Sequence, residues 1–392
     1  MVVRRLSPMP FVATNPATGQ VTATFEEHSP AEVDRRLQLA ADAFAIWRVT
    51  PVASRARSLI TAAELLEGEV PVIAEMLTAE MGKTFGAAKG EVAKCALALR
   101  YYAEHGPAML AEEEISSPAS RSGLRWDPLG PVLAVMPWNF PLWQAIRFAA
   151  PALMAGNVGV LKHASNVPNS AAFLEDLFRR AGMPEGCFVN LFIPASRVAD
   201  VIRDERIAAV TLTGSEAAGQ AVASVAGSVL KKCVLELGGS DPFIIAESAD
   251  LDVAVPMAVT GRVQNNGQSC IAAKRFIVVE ARAEEFIAKF SEQMNALSVG
   301  DPMDPATQVG PLVSAAQRDE IAGQVDDALS KGAVATAGGA AVDGAGFFYR
   351  PTVLTGVTDQ MRAGVEEIFG PVAVVYVVKD LAEAIELGNA TP

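Results

Sequence analysis

Cys270 is the residue whose type and setting best suit covalent chemistry. It ends the run Gly267-Gln268-Ser269-Cys270, which follows a polar turn and precedes a strand-like segment at residues 275–279. A thiol in such a setting is accessible, and its thiolate is a strong nucleophile. Taken alone, the pattern is also typical of a small residue in a loop, so the choice depends on polar motifs elsewhere in the chain.

Two further residues meet the needs of a reaction at a carbonyl carbon. Asn139 lies between two prolines in Pro137-Trp138-Asn139-Phe140-Pro141, where a rigid backbone would fix its amide as a hydrogen-bond donor. Glu236 ends an apolar strand before two glycines, where partial desolvation would suit it to act as a general base. The alternatives are a rigid turn with packed aromatic rings for Asn139 and an ion-paired carboxylate for Glu236.

A third group of residues is placed to bind a ligand. Lys162 follows the predicted strand 158–161, and ligands of open α/β sheets bind at the carboxyl ends of strands. Gly214 and Ser215 follow a strand and open a helix, whose N–H groups suit a phosphate. The G-x-G-x-x-G fingerprint is absent. The alternatives are a solvent-exposed lysine at a strand end and an ordinary glycine turn.

The elements that would position these residues alternate between strand and helix from residue 131 onward. This alternation indicates a parallel sheet covered on both faces. The predicted strands are Val132–Met136, Val158–Leu161, Ala208–Thr213, Cys233–Leu237 and Phe243–Ala246. The predicted helices fall at about 141–155, 168–182, 196–204 and 215–230. A second α/β set begins near residue 250, with strands near 275–279 and 371–378.

The amino-terminal third of the chain is predicted to be helical, followed by an arm. Ser29 caps a helix with Pro30 at its first position and Glu32 completing a capping box. A second helical block spans roughly residues 55–105, interrupted near Pro71 and Gly82. The polar stretch 111–127 then predicts a hairpin or arm rather than core.

Composition excludes several classes of partner. The chain has 392 residues, of which 51% are hydrophobic, and its net charge of −13 argues against nucleic acid and anionic membranes. Three scattered histidines and four cysteines without C-x-x-C spacing make a zinc site unexpected. Residues 1–10 contain no apolar leader segment, and no apolar run would span a bilayer. A reducing cytoplasm is the expected compartment.

Taken together, the motifs resemble the aldehyde dehydrogenase superfamily in type and order from Asn15-Pro16-Ala17-Thr18-Gly19 onward. Besides those quoted above, the resemblance rests on Lys162-His163-Ala164-Ser165, Thr213-Gly214-Ser215, Glu236-Leu237-Gly238-Gly239, Tyr349-Arg350-Pro351-Thr352-Val353-Leu354 and Glu366-Glu367-Ile368-Phe369-Gly370-Pro371. Within the superfamily, Lys162-His163-Ala164 followed by Asn166-Val167-Pro168 is similar to the bacterial succinate-semialdehyde dehydrogenases of the short type.

The resemblance implies a reaction at Cys270. This thiolate would attack the aldehyde, with the Asn139 amide and the Cys270 backbone N–H holding the oxyanion. Hydride would pass to NAD or NADP, and Glu236 would activate water against the resulting thioester. Members of the family that transfer the acyl group to coenzyme A usually lack this glutamate, so a coenzyme-A-acylating dehydrogenase is the alternative enzyme.

The resemblance also implies the cofactor contacts. Lys162 would bind the adenosine ribose, and Gly214 and Ser215 would lie near the pyrophosphate and nicotinamide. Glu367 would bind the nicotinamide ribose. The remaining residues expected at the cofactor are Pro137, Trp138, Ser165 and Phe369. Ser165 stands where many NAD-specific members carry a glutamate, so we predict that a 2′-phosphate is accepted and that both cofactors are used.

The substrate contacts implied are fewer. Arg147, eight residues after Asn139, matches a carboxylate-binding position of succinate-semialdehyde enzymes, and a surface helix charge is the alternative. The family's second arginine, six residues before the nucleophile, is Gln264 here, which weakens a bidentate carboxylate clamp.

The expected fold is α/β: a parallel-sheet dinucleotide-binding domain at 1–110 and 128–235, an oligomerisation arm at 111–127 and a catalytic domain at 236–392. A homodimer or homotetramer acting on a small-molecule aldehyde is implied. Family chains continue beyond residue 392, so the resemblance also predicts impaired assembly. An inactive or weakly active fragment that only binds cofactor or another protein is the rival prediction.

Overall fold

The computed structural model describes residues 10–391. Residues 1–9, where the sequence shows no apolar leader segment, and Pro392 lie outside the described part. The described chain divides into two compact units. The first comprises residues 10–14, 21–77 and 88–237, and the second comprises residues 15–20, 78–87 and 238–391. The assignment of cofactor binding and catalysis to separate domains stays a prediction.

The described part of the chain begins with a short antiparallel pair of strands, β1 (Phe11–Thr14) and β2 (Val21–Phe25). Four helices follow, namely α1 (Pro30–Trp47), α2 (Val52–Gly68), α3 (Val70–Met81) and α4 (Phe85–Met109). Ser29 accepts the N–H of Glu32 at 3.2 Å and so caps α1 as predicted. The Glu32 carboxylate pairs with Arg35 and Arg36.

The predicted arm is a two-stranded antiparallel hairpin of β3 (Glu113–Glu114) and β4 (Gly123–Leu124). Most of its side chains are exposed, including the apolar residues Ile115, Leu124 and Trp126. The prediction that residues 111–127 are not core is therefore confirmed.

The sheet of the first unit has five strands, all parallel, in the order β7-β6-β5-β8-β9. The strands are β5 (Pro131–Met136), β6 (Val158–His163), β7 (Phe188–Asn190), β8 (Ala209–Thr213) and β9 (Lys232–Glu236). The intervening helices are α5 (Pro141–Met154), α6 (Pro168–Arg180), α7 (Val198–Arg203) and α8 (Glu216–Ser228). The parallel sheet predicted from the alternating elements is confirmed, with two differences: the short strand β7 was not predicted, and the strand predicted at 243–246 belongs to the other sheet, where it pairs with the strand at Arg275–Val279.

The second unit contains a mixed five-stranded sheet in the order β10-β11-β14-β13-β12, with β12 antiparallel to β13. Its strands are β10 (Pro242–Ile245), β11 (Arg275–Val279), β12 (Val334–Ala337), β13 (Thr352–Thr355) and β14 (Val372–Val378). Its helices are α9 (Leu251–Val263), α10 (Glu280–Ala296), α11 (Ala315–Ser330), α12 (Arg362–Val365) and α13 (Leu381–Asn389). A cluster of Phe276, Phe286 and Phe290 lies in one of its cores.

Two glycines near β7 have a left-handed backbone, but a side chain would clash with a neighbour at only one of them. Gly182 has φ +79°, and a Cβ added there would meet open space. Gly186 has φ +96°, and a Cβ added there would lie 2.4 Å from the Leu39 carbonyl oxygen. We predict that Gly182→Ala costs ~1–2 kcal/mol of unfolding free energy. Gly186→Ala should cost roughly 2 kcal/mol more, because α1 must also shift.

Urea unfolding of both variants checks this prediction, with the exposed helical Gly227→Ala as the control because a Cβ there meets nothing. Equal losses for Gly182→Ala and Gly186→Ala would show that the approach of Leu39 does not constrain the fold.

Candidate active site

The turn that carries Asn139 is held from two sides within the first unit. Asn139 is only 3% exposed and lies between β5 and α5. The Glu91 carboxylate on α4 accepts the N–H groups of Leu142 and Trp143, each at 2.9 Å, and so satisfies free donors at the start of α5. Pro137 and Trp138 are partly buried in the same turn.

His163 holds the other side of this turn. Its Nδ1 accepts the Ala164 N–H at 2.9 Å, so its Nε2 carries the proton and donates to the Pro141 carbonyl oxygen at 2.8 Å. Burial lowers the pKa of His163 to about 4, although its bond to Pro141 opposes that shift. The ring is therefore neutral at pH 7. Sequence reasoning included His163 only as part of a motif and assigned it no role.

Lys162 lies inside β6 rather than beyond its end, and it is 8% exposed. The alternative of a solvent-exposed lysine is therefore wrong, because β6 continues to His163 in register with β5. Burial lowers the pKa of Lys162. Ser165, two residues beyond β6, is exposed.

Gly214 and Ser215 join β8 to α8. The Gly214 N–H donates to the Glu236 carbonyl oxygen at 3.0 Å, which extends the pairing of β8 with β9. Ser215 caps α8 by accepting the Ala218 N–H at 3.4 Å, and its side chain is exposed. The amino end of α8 is thus open on the solvent side.

Glu236 differs from its prediction. Its side chain is 55% exposed, so the expectation of a desolvated carboxylate is wrong. The reason is its strand: β9 lies at the edge of the sheet and its residues alternate between exposed and partly buried. Arg147 on α5 lies 3.7 Å from the Glu236 carboxylate and donates to Thr213 Oγ1 at 3.3 Å. The ion-paired alternative for Glu236 is therefore present, as an exposed pair.

Arg147 and Glu236 line one cleft of about 420 Å³ in the first unit. The rest of its wall is mainly apolar and comes from α5, β5, β8 and β9, with the buried Gln144 also at its edge. A cationic group beside a carboxylate in an apolar cleft suits a small ligand with one charged end. The structure thus brings together Arg147, Glu236 and the Thr213-Gly214 strand end.

Cys270 lies in the second unit, on an irregular loop between α9 and β11. The thiol residue is partly buried, whereas Gln268 and Ser269 before it are fully buried. Asn265 and Asn266 have positive φ values of 55° and 58°. The loop thus bends sharply before the thiol, as the glycine-containing turn predicted.

Buried side chains hold this loop. Asn266 Nδ2 donates to the carbonyl oxygens of Gly82 and Pro311 at 2.9 and 3.0 Å. Arg262, which is fully buried, donates to the Gly267 and Ala273 carbonyl oxygens at 2.6 and 2.9 Å. A loop without regular backbone pairing is therefore anchored at both ends.

Glu367 is also in the second unit, and it forms an ion pair with Lys274 at 2.9 Å. Lys274 Nζ also donates to the Cys270 carbonyl oxygen at 2.8 Å. The Phe369 carbonyl oxygen accepts from Gln317 at 3.2 Å. Sequence reasoning missed Lys274 and Arg262; the only signal was a basic residue next to a buried strand or inside an apolar helix.

Gln264 is partly buried at the end of α9 and lines a separate cleft of about 210 Å³ with Gln308, Thr84 and Leu297.

Among the described residues no group of histidine, cysteine and acidic side chains could hold a metal ion. The four cysteines of the described chain form no disulfide, and burial raises the pKa of Cys187 to about 12. Within residues 10–391, no helix has both the length and the apolarity to cross a membrane.

The two α/β units, the thiol loop at residues 264–274 and the strand-end motifs are those expected of the predicted class of oxidoreductase. The family model described as the aldehyde dehydrogenase family matches residues 5–392, and the chain belongs to this family. The resemblance predicted from the motifs is therefore confirmed, and so is the expected α/β fold.

The chain is similar to proteins named as succinate-semialdehyde dehydrogenases. The succinate-semialdehyde dehydrogenase [NADP(+)] of Mycobacterium avium (strain 104) is 57% identical over 98% of this chain and 82% of that protein. The succinate-semialdehyde dehydrogenase [NADP(+)] 1 of Mycobacterium tuberculosis (strain ATCC 25618 / H37Rv) is 54% identical over 98% of this chain and 84% of that protein. The crystal structure of the Streptococcus pyogenes succinic semialdehyde dehydrogenase with NADP+ superposes with a TM-score of 0.95, at 37% identity, over 97% of this chain and 84% of that one.

His163 predicts a pH dependence of stability. Its pKa is about 4 when folded and near its ordinary value of 6.5 when unfolded, so only the unfolded state takes up this proton between those values. The stability is complete above pH 6.5 and is lost as the pH falls towards 4. The full shift corresponds to ~3 kcal/mol of unfolding free energy.

We expect His163→Gln to flatten the unfolding midpoint between pH 6.5 and 4.5, although the variant is less stable at pH 7. His28, whose pKa burial also lowers to about 4, accounts for the pH dependence that remains. The exposed His105→Gln is the control. A His163→Gln curve parallel to that of the wild type would exclude His163 as the group responsible.

Proposed function

We propose that this protein oxidises an aldehyde to a carboxylic acid with NAD or NADP, and that the aldehyde is succinate semialdehyde. The observation that carries the proposal is the cleft in which Arg147 lies beside Glu236, because it offers a cation to a substrate carboxylate next to a candidate base. The names of the mycobacterial relatives support the same substrate and NADP.

The first step falls to Cys270. Its thiolate attacks the aldehyde carbon, a C–S bond forms, and the carbonyl oxygen becomes an oxyanion. We assign the stabilisation of this oxyanion to the Asn139 amide and the Cys270 backbone N–H, and removal of one such donor costs ~3 kcal/mol in the barrier. The turn that carries Asn139 and the loop that carries Cys270 are each anchored by buried side chains. This supports the assignment, because a donor is effective only where it is held before the reaction.

Bound NAD or NADP would supply the hydride acceptor. Lys162 fits a ribose because it is a buried ammonium near the carboxyl end of strand β6, one residue before His163, without an acceptor among the described residues. Glu367 is assigned to the nicotinamide ribose, and Gly214 and Ser215, which lie at the open amino end of α8, are assigned to the pyrophosphate and nicotinamide. The exposed Ser165 hydroxyl carries no negative charge to repel a 2′-phosphate. The remaining residues assigned to the cofactor are Pro137, Trp138 and Phe369.

Glu236 acts in the last step. Its carboxylate takes a proton from water, the hydroxide adds to the thioester carbon, and the C–S bond breaks to give the acid and the Cys270 thiol. Exposure of Glu236 keeps water at hand.

We further propose that the protein acts in the cytoplasm, where Cys270 stays reduced, and that it forms a homodimer or homotetramer. The exposed apolar residues of the β3–β4 hairpin support association, because such residues on a small arm favour burial against another subunit.

The function is tested by stopped-flow absorbance with succinate semialdehyde and NAD+ or NADP+ in parallel. We expect steady turnover in the wild type with both cofactors and without coenzyme A. Glu236→Gln should give a burst of up to one equivalent of NADPH followed by at least tenfold slower turnover, because thioester hydrolysis is then limiting. Cys270→Ala should give no burst.

A wild type that binds cofactor but produces no NADH or NADPH would mean an inactive fragment, and a rate that requires coenzyme A would mean an acylating enzyme. Turnover with NAD+ alone would contradict the argument from Ser165.

Arg147 predicts the substrate preference. Arg147→Ala should raise KM for succinate semialdehyde about 10- to 100-fold, because a charge-assisted hydrogen bond is worth ~1.5–3 kcal/mol. For butanal, which lacks the carboxylate, KM should change less than threefold. Arg203→Ala, an exposed arginine of the same unit, is the control. Equal increases for both aldehydes would remove Arg147 from the substrate contacts.

A further inference from the structure

Lys274 is a buried cation that contacts two groups assigned to different tasks. Its side chain is 2% exposed, just before β11. Its ammonium donates to the Cys270 carbonyl oxygen at 2.8 Å and pairs with the Glu367 carboxylate at 2.9 Å. One side chain thus joins the backbone of the nucleophile to the carboxylate assigned to the cofactor.

Packing alone does not explain a charge at this position. Taking an ammonium out of water is costly, and an apolar chain of the same length would fill the space without that cost. Burial lowers the pKa of Lys274, and the nearby Glu367 carboxylate opposes that shift. The charge is retained where it has a specific partner on each side.

The surroundings add to this arrangement. Arg262 is a second buried cation, and it holds the carbonyl oxygens of Gly267 and Ala273 on either side of Cys270. The loop is therefore held at three carbonyl groups by two cations. On the Glu367 side, a Cβ at Gly238 would lie 2.1 Å from Glu367 Oε2, so the absence of a side chain at Gly238 leaves room for that carboxylate.

We propose that Lys274 is a positioning residue that couples the nucleophile to the cofactor-binding carboxylate. It fixes the Cys270 peptide and the Glu367 carboxylate in one arrangement, so that a change at one of these groups alters the position of the other. This inference rests on the proposed function for the roles of Cys270 and Glu367. The coupling itself is tested without aldehyde oxidation.

The first probe is hydrolysis of p-nitrophenyl acetate without cofactor. Cys270 Sγ attacks the ester carbon, p-nitrophenolate leaves, and water then hydrolyses the acetyl thioester to acetate and the thiol. The second probe is the dissociation constant of NADP+ from titration calorimetry. Lys274→Met keeps the chain length and removes the charge. We expect at least tenfold slower ester hydrolysis and at least tenfold weaker NADP+ binding.

Glu367→Gln tests whether a change at the cofactor-binding carboxylate affects the reactivity of Cys270. It also replaces Lys274→Met as the test if that variant does not fold. The ion pair with Lys274 is the route from Glu367 to the Cys270 peptide, so a residue serving the cofactor alone would leave cofactor-free ester hydrolysis unchanged. We expect Glu367→Gln to slow it at least threefold. Lys274→Met should then slow ester hydrolysis by a smaller factor in the Glu367→Gln background than in the wild type.

Lys289→Met, which removes an exposed ion-paired lysine of the same unit, is the control and should match the wild type in both probes. Ester hydrolysis by Glu367→Gln at the wild-type rate would overturn the proposal, as would a folded Lys274→Met that matches the wild type in both probes. If the wild type hydrolyses the ester and binds NADP+ but does not oxidise succinate semialdehyde, the proposed function fails while the Lys274 test still stands.

Discussion

The thiol loop depends on one constraint: three of its backbone carbonyl groups, those of Gly267, Cys270 and Ala273, are buried or partly buried and are bonded by side chains rather than by a helix or strand. An unpaired buried carbonyl costs free energy comparable to a lost hydrogen bond. Arg262 donates to the Gly267 and Ala273 carbonyl oxygens and Lys274 donates to that of Cys270, while Asn266 ties the loop to the carbonyl oxygens of Gly82 and Pro311. The nucleophile can therefore lie on irregular backbone, with Asn265, Asn266 and Gly267 all at positive φ, and still have a defined position.

The first unit meets a similar need with different chemistry. Its critical turn lies at the end of a parallel strand, and side chains bond the N–H groups at the start of α5 and the carbonyl of Pro141. A carboxylate, Glu91, and a neutral imidazole, His163, are sufficient. Neutrality of His163 matters because a second buried cation beside Lys162 would lower the stability of the folded state.

Sequence reasoning predicted most of the fold because hydrophobic pattern and turn residues are local signals. The five strands named between residues 132 and 246 are all present, and the 111–127 arm is a hairpin. The strand β7 was missed because three residues carry too little periodicity. The capping bond of Ser29 was predictable for the same local reason.

The site was predictable by residue type and less so by environment. Burial of Lys162 and exposure of Glu236 depend on which strands are inner and which lie at the sheet edge, and this order is set by tertiary structure. Lys274 was missed because its role follows from two contacts, one of them 93 residues away along the chain at Glu367. No spacing rule reveals such a pair.

The pairing of Arg147 with Glu236 then has a direct consequence for the proposed reaction. The side chains of Arg147 and Glu236 are 38% and 55% exposed and lie 3.7 Å apart, so the pair contributes at most about 1 kcal/mol. A substrate carboxylate that binds Arg147 would displace Glu236 at little cost and leave it without its cation. The same event that fixes the substrate would then free the base for water. A tighter, buried pair could not do this, because breaking it would cost several kcal/mol. The edge position of β9, which made the desolvated Glu236 a wrong prediction, is therefore the feature that makes the exchange feasible.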